Sequence, residues 1–395
     1  MRGSRRGHFG EKRDGPSLAG ARIGYMPTRG PVPWRREAHT AAKHRVYDHY
    51  LRKWFPILLG GANAYRSATY VEGFSGPGIY KDSEEGSPII AIRAFLETPR
   101  LAARNGPVRF IFIDDDKRCT QLLSERIEAT FPAYPREIMS IQILEGKCEA
   151  SLESALDEAG AWGYPILAVL DSWGNVPVPY STLVKLASNR ASEVVVTLST
   201  QHFLRFVGRL EGPGDEVFGG DLAWREVAAQ PDGPTKRRHL LTCYRKALSK
   251  AGFAYLLDFE LVTPAGESLY LIFGTNHDRG VEKMKEALWA ADPEQGVGFR
   301  DPRDVGQFSL FGDEVRLYPL ARMLEQKLRK DGPEKVYKLA NYALHNTVFK
   351  KTHVLPAVEI LCEEGTVEAD DGRPPSLNSV VRVAQPTGSG PPTRT

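Results

Sequence analysis

From Lys43 onward, Val46, Tyr47, Tyr50, Leu51, Trp54, Phe55, Leu58 and Leu59 follow an i, i+3, i+4, i+7 spacing. This predicts an amphipathic helix stopped by Gly60-Gly61, with Pro56 kinking its last turn. Short apolar runs at 68–74, 108–113, 140–144, 166–170, 193–198, 254–261 and 269–273 then predict seven strands. Helical spacing lies between most of them, at 87–96, 119–129, 152–158, 180–187 and 236–251. Strand, helix, strand repetition predicts a parallel sheet covered by helices on both faces, an α/β doubly wound domain. Only Val262-Thr263-Pro264-Ala265-Gly266 separates the last two strands, too short for a parallel crossover, so these should form an antiparallel hairpin.

The pattern changes near residue 316. Three helices are predicted at 317–328, 334–344 and 353–363, the last stopped by Gly365, followed by short strands at 366–369 and 379–383 around Asp371-Gly372. Three helices and a hairpin outline a winged helix, with the third helix in the recognition position. Residues 1–40 are punctuated by glycine and proline and lack periodicity, and the tail from 385 is similar, so both ends are expected to be disordered. The expected organisation is a basic leader (1–40), a Rossmann-like domain (41–315), a winged-helix-like domain (316–384) and a tail (385–395).

With 42% apolar and 26% charged residues, the 395-residue chain falls among soluble globular proteins, which excludes fibrous and wholly disordered classes. No apolar run approaches the roughly 18–20 residues a bilayer span needs, and the Arg/Gly-rich start has no apolar secretory core. Cys119, Cys148, Cys243 and Cys362 are scattered without a C-x-x-C pair, giving no support for a metal site or a disulfide framework. A cytoplasmic protein is expected. The net charge of +3 hides basic excesses of 8 over residues 1–45 and 6 over 315–355, around an acidic body. Clustered Lys and Arg of this kind suit a nucleic-acid partner, and equally a solvated tail.

Candidate chemistry gathers at strand ends. The first strand runs into Glu72-Gly73-Phe74-Ser75-Gly76-Pro77-Gly78, where glycines let the backbone turn tightly and a ligand approach closely. No Gly-Lys-Ser/Thr follows, Lys81 occupies the third glycine position of a dinucleotide fingerprint, and Pro77 removes an amide that a pyrophosphate would use. The phosphate-free zwitterion of S-adenosylmethionine suits an acid beside glycine amides better, which makes Glu72, Gly73, Gly76 and Gly78 candidate cofactor residues. Asp114, ending the second strand, is placed to accept ribose hydroxyls, while Asp115 and Asp116 suit capping of the next helix. The fourth strand runs into Asp171-Ser172-Trp173-Gly174. Here Asp171 is a candidate acceptor for the protons of a methylated nitrogen, and Trp173 a platform for a flat ring. Their alternative is a loop-capping acid and a buried tryptophan. In the carboxyl-terminal unit, Lys350, Lys351 and Arg373 are candidate phosphate contacts.

A parallel sheet ending in an antiparallel hairpin resembles the class I methyltransferases. More narrowly, Tyr70-Val-Glu-Gly-Phe-Ser-Gly-Pro-Gly78, Glu85-Gly-Ser-Pro88, Phe112-Ile-Asp114, Leu170-Asp-Ser-Trp-Gly174 and Tyr270-Leu-Ile-Phe-Gly274, in that order and spacing, resemble the three-Cys-motif partner proteins of bacteria. The resemblance spans about residues 43–288, with a winged helix often attached. It implies S-adenosylmethionine-dependent chemistry on nucleic acid or a nucleic-acid-associated substrate. It also implies a three-cysteine-motif partner similar to radical S-adenosylmethionine proteins. The alternative is a non-catalytic adaptor that keeps the fold and binds nucleic acid or the partner. Ser172 stands where that family tends to have proline, and Lys147 where an acid often faces the adenine.

Overall fold

The apolar runs pair into one central sheet in the computed structural model, which describes residues 30–61, 64–98, 107–210, 212–300, 316–370 and 372–384. In chain order its strands are β1 (Thr69–Gly73), β2 (Val108–Asp114), β3 (Met139–Glu145), β4 (Ile166–Leu170), β5 (Glu193–Ser199), β6 (Tyr255–Val262), β7 (Ser268–Thr275) and β8 (Gly298–Arg300). They lie side by side as β3-β2-β1-β4-β5-β7-β6-β8. β1 to β5 run parallel, and β7 runs antiparallel to both β5 and β6. This strand order and the reversed β7 define a class I methyltransferase fold, an α/β Rossmann-like sheet. The expected hairpin is present, and β8 adds an eighth strand, parallel to β6, at the edge.

Helices cover both faces. α1 (Ala38–Leu59), α2 (Ser87–Leu96) and α3 (Lys117–Thr130) are the first three, followed by α4 (Cys148–Glu158), α5 (Tyr180–Ser188) and α6 (Thr200–Phe206). A single turn, α7 (Pro213–Val217), then α8 (Gly233–Ala251) and α9 (Asp278–Ala291) complete the domain. Two apolar layers result. α1, α2 and α9 bury Val46, Phe55, Ile92 and Met284 against Phe110 and Phe273 on one face. α4, α5 and α8 bury Leu152, Leu183 and Tyr244 against Ile111, Ala168 and Val196 on the other. Strands buried on both faces read as continuous apolar runs for this reason, and each buried Val, Leu, Ile or Phe stabilises the fold by about 1.5–3 kcal/mol. α1 begins at Ala38 and the chain is described from Gly30, so ordered structure starts inside the stretch expected to be leader. The first 29 residues of that leader and the tail from 385 lie outside the described residues.

The carboxyl-terminal unit contains α10 (Tyr318–Asp331), β9 (Glu334–Lys335), α11 (Val336–Asn346), α12 (Val354–Glu363), β10 (Val367–Ala369) and β11 (Val380–Val383). Its three strands pair antiparallel in the order β10-β11-β9. The helices and hairpin match expectation. The start expected for the second helix is instead the short strand β9, which pairs with β11.

This unit is riveted to α9. Lys285, a lysine buried within α9, donates to the carbonyl oxygens of Ala343 (3.1 Å), Leu344 (2.6 Å), Thr347 (2.5 Å) and Phe349 (3.1 Å). These gather the end of α11 and the loop after it, where the Ala343 carbonyl also accepts the Thr347 amide and hydroxyl. Burial pushes the Lys285 ammonium down to about 8. Trp289, one turn on, donates to the Val348 carbonyl at 2.9 Å and joins the unit's apolar core. The two units therefore share a core. Lys285→Met should strand the carbonyls and lower stability by about 1–3 kcal/mol, with faster hydrogen exchange over 343–349. Urea unfolding and exchange rates equal to those of the parent would contradict the rivet.

Candidate functional site

Between β1 and β4 the chain turns outward in both directions, and the crevice above such a switch point is where doubly wound sheets bind ligands. The turn after β1 is held in a backbone shape that suits glycine. Gly76 and Gly78 take φ of 65° and 67°, and Phe74 takes 69°, which is uncommon for a residue with a Cβ. Asp114 knits this turn to the end of β2. Its Oδ2 accepts the Gly76 amide at 2.8 Å and its Oδ1 the Asp116 amide at 2.9 Å, leaving the second lone pair of each oxygen available. Burial raises Asp114 above the usual carboxylate range despite these amides. The hydroxyl of Ser75, buried in the same turn, has no hydrogen-bond partner among the described residues. A turn fixed by an acid with spare acceptor capacity, beside an unpaired buried hydroxyl, fits a nucleoside-bearing cofactor. The described residues contain no cluster of side chains that would hold a metal ion.

The turn after β4 is strained as well, with Trp173 at φ 57°, Gly174 at 94° and Val176 at 49°. Ser172 Oγ accepts the Val176 amide at 2.9 Å, and the Gly174 carbonyl accepts the Ser199 amide at 2.9 Å. Serine thereby closes the loop with a side-chain bond at the position where proline was the family expectation. Trp173 is 72% exposed, so the buried-tryptophan alternative does not hold for it. Asp171 points inward and pairs with Lys43, while Thr197 Oγ1 donates to its Oδ1 at 2.7 Å. Burial alone would raise Asp171, yet Lys43 and Thr197 hold it below the usual carboxylate range.

Lys43 belongs to the first turns of α1, which carry a buried polar group to the strand ends. His44 and Tyr47 are buried, and His44 Nδ1 and the Tyr47 hydroxyl have no partner among the described residues. The His44 ring lies 5.6 Å from Tyr80. Burial, reinforced by Lys43, lowers His44 to about 3 and keeps its imidazole neutral. Glu72 lies below, fully buried, accepting from Ser87 and from the Tyr70 hydroxyl at 3.2 Å. Burial raises Glu72 to about 8, so it is protonated at neutral pH. The segment before α1 crosses above. Its Trp34 carbonyl accepts the Lys81 amide at 2.8 Å, and its ring lies over Gly76, 6.3 Å from Tyr80 and 6.4 Å from Trp173.

No family model and no curated protein matches this chain. Among solved structures, EvdMO1 is similar over 63% of this chain at 11% identity and a TM-score of 0.31, and the chain spans 44% of that protein's length. The O-methyltransferase from Bacillus cereus in complex with SAH is similar over 58% of this chain and 80% of its own, at 11% identity and 0.32. The O-methyltransferase TomG from Streptomyces achromogenes covers 62% and 93%, at 14% identity and 0.32. At that degree of likeness the geometry of the site has to carry the function.

The expected residues divide in three. Gly76, Asp114 and Trp173 gather around Trp34, whose ring lies over Gly76 and 6.4 Å from Trp173, while Asp171 is held inside by Lys43 and Thr197 and Gly78 packs on Leu123, which an added Cβ would strike. Gly73 belongs to the base of the glycine turn, where an added Cβ would run into Cys148 Sγ, so its role is close packing. Glu72 is fully buried and accepts from Ser87 and Tyr70, so its side chain does not stand open to the turn. In the carboxyl-terminal unit two of the expected phosphate contacts have partners on α9. Lys350 sits 5.7 Å from the Trp289 ring and Lys351 pairs with Glu282 at 3.6 Å, so both are turned to α9. Arg373 is exposed in the turn before β11, separated from them along the chain by α12 and β10. α12 itself carries Glu359 and Glu363 and no Lys or Arg. Sequence reasoning missed Trp34, Lys43, His44 and Tyr47. Lys43 and Asp171 are 128 residues apart, and nothing in the spacing of α1 connects them.

Removing one member of a buried ion pair typically costs about 3–5 kcal/mol, so Lys43→Ala should lower stability by that amount in urea unfolding. Combining it with Asp171→Asn should recover most of the loss, whereas additive losses would contradict the pairing. A second expectation concerns pH. Folded Glu72 keeps its proton up to about pH 8, while its ordinary value is 4.5. The unfolded chain thus releases that proton first, and stability falls as pH rises from about 4.5 to 8. Glu193, raised to about 7 by burial, contributes with the same sign. Glu72→Gln should shallow the decline of the melting temperature across this window, and an unchanged slope would show Glu72 ionised.

Proposed function

We propose that this protein binds S-adenosylmethionine in the crevice above β1 and β4 and transfers its methyl group to a substrate carrying a flat ring. The observation that carries the reading is the Gly76–Asp114 knit beside the unpaired Ser75 hydroxyl at the switch point of a methyltransferase sheet. Asp114 would take the ribose hydroxyls through the lone pairs its two amide bonds leave over. Bound there, the cofactor supplies an electrophilic methyl group. Asp171, kept ionised by Lys43, would accept an N–H of the methyl acceptor and turn the nitrogen lone pair toward that methyl. Trp173, exposed, would stack on the acceptor's ring, and Trp34 over Gly76 would exclude water from the cofactor side.

Nucleic acid is the proposed acceptor class, because an extruded base offers both a flat face and an exocyclic nitrogen. The carboxyl-terminal unit has the element order of a winged helix. With an acidic α12 and with Lys350 and Lys351 facing α9, it is proposed as a partner-binding module rather than a base reader. Membership of the three-Cys-motif partner proteins and a radical S-adenosylmethionine-like partner remain part of this proposal, supported by the ordered motifs between Tyr70 and Gly274. One observation favours the adaptor reading instead. Both oxygens of Asp171 are already engaged, by Lys43 and Thr197, as a retired acceptor site would be.

Calorimetric titration with S-adenosylmethionine tests the cofactor. Asp114→Ala removes a charge-assisted acceptor worth roughly 1.5–3 kcal/mol, so affinity should fall about 10- to 150-fold with the fold intact. Equal affinity in the folded variant would contradict the site. Asp171→Ala and Trp173→Ala should bind cofactor nearly as the parent does and lose turnover. A parent that transfers no methyl group in the presence of the three-cysteine partner and nucleic acid would favour the adaptor.

A further inference from the structure

Two buried polar side chains of α1 stand without hydrogen bonds. His44 and Tyr47 are each 4% exposed, and neither His44 Nδ1 nor the Tyr47 hydroxyl has a partner among the described residues. One turn of helix separates them, so they share a face of α1, with ring centroids 6.4 Å apart. Lys43 and Tyr50, before and after them, are paired with Asp171 and Glu193. Buried polar groups in folded proteins nearly all have partners, because an unpaired one forfeits its bonds to water. Two together, beside the candidate site, point to a ligand that supplies those partners.

Their position decides which part of a ligand reaches them. β1 lies between β2 and β4 in the sheet. Asp114 ends β2 and Asp171 follows β4, so the proposed function puts the cofactor's ribose on one side of β1 and the transferred methyl group on the other. The sulfur that carries the methyl group also carries the amino-acid chain, which would lie over the end of β1. His44 and Tyr47 are at that place. Asp171, Tyr70, Glu72 and Tyr80 are the ionisable groups around the Tyr47 hydroxyl, and the His44 ring lies 5.6 Å from Tyr80.

No charge is left over there for a simple ion. Lys43 offsets Asp171, Arg36 pairs with Glu84 at 3.5 Å, and burial keeps both His44 and Glu72 neutral at neutral pH. A zwitterion brings its own balanced charges and needs a donor for its carboxylate and an acceptor for its ammonium group. A tyrosine hydroxyl supplies the first and an unprotonated imidazole nitrogen the second. We propose that Tyr47 and His44 hold the amino-acid end of the cofactor, the Tyr47 hydroxyl donating to its carboxylate and His44 Nδ1 accepting from its ammonium group. This rests on the cofactor reading and deepens it, because it makes α1 the element that selects a cofactor with an intact amino acid.

The test is calorimetric titration of the full chain with S-adenosylmethionine, its decarboxylated form and methylthioadenosine, which lacks the whole amino acid, with melting temperatures measured alongside. Tyr47→Phe should weaken S-adenosylmethionine at least about 10-fold, the effect of one hydrogen bond to a charged group, and leave the other two ligands unchanged. His44→Leu should weaken S-adenosylmethionine and the decarboxylated form, which keeps the ammonium group, by a similar factor and spare methylthioadenosine. Asp114→Ala, by contrast, should weaken all three. Because it loses no hydrogen bond within the protein, Tyr47→Phe should melt no lower than the parent. A parent that binds none of the three ligands would overturn the cofactor reading together with this inference. Equal binding of S-adenosylmethionine by the parent and Tyr47→Phe would overturn the inference alone, as would a lower melting temperature for Tyr47→Phe or an equal loss of methylthioadenosine.

Discussion

Asp171 is a carboxylate taken out of water at the end of β4, and much of the molecule is arranged around neutralising it. A buried charge without a partner costs several kcal/mol, so Lys43 has to arrive at that point. Its arrival fixes how α1 lies on the sheet. The segment leading into α1 lays Trp34 over the glycine turn, and α1 itself buries His44 and Tyr47 and brings Tyr50 onto Glu193. α1 and α9 contribute to one apolar layer, and α9 carries Lys285 and Trp289 into the carboxyl-terminal unit. A continuous path of packed helices thus joins the β4 turn to the far unit.

Buried polar groups supply the register along that path. Apolar layers tolerate a helix sliding by part of a turn, whereas Lys43 on Asp171, Tyr50 on Glu193 and Lys285 on four carbonyls do not. All three contacts involve α1 or α9. The helices on the other face combine apolar packing with bonds of their own, such as Tyr180 to the Ala247 carbonyl at 2.9 Å and Thr182 to Glu153 at 2.6 Å.

This division explains what could be read from the sequence. The first seven strands of the central sheet are legible as apolar runs because both faces are covered, and the hairpin because its loop is too short for a crossover, while the three-residue edge strand β8 is not. Asp114 and Trp173 stand out as candidates because they lie at or just beyond strand ends. α9 goes unread because Lys285 sits in the stripe of Val281, Met284 and Leu288 and breaks the apolar spacing. β9 goes unread because two residues carry no periodicity. Lys43, Lys350 and Lys351 look like solvated charge, and only tertiary partners show where they point. Glu72 shows the converse: an acid beside glycines looks open in the sequence, and the fold buries it against Ser87 and Tyr70.

In the proposed function, one crevice framed by Trp34, Ser75, Gly76, Asp114 and the β4 turn receives S-adenosylmethionine while α1 stays anchored by Lys43. Hydrogen–deuterium exchange with and without S-adenosylmethionine decides it: exchange should slow over 73–80, 114–117 and 171–176 and in the segment around Trp34, with 318–384 unchanged. Slowing confined to the carboxyl-terminal unit, or exchange indifferent to the cofactor throughout, would contradict it.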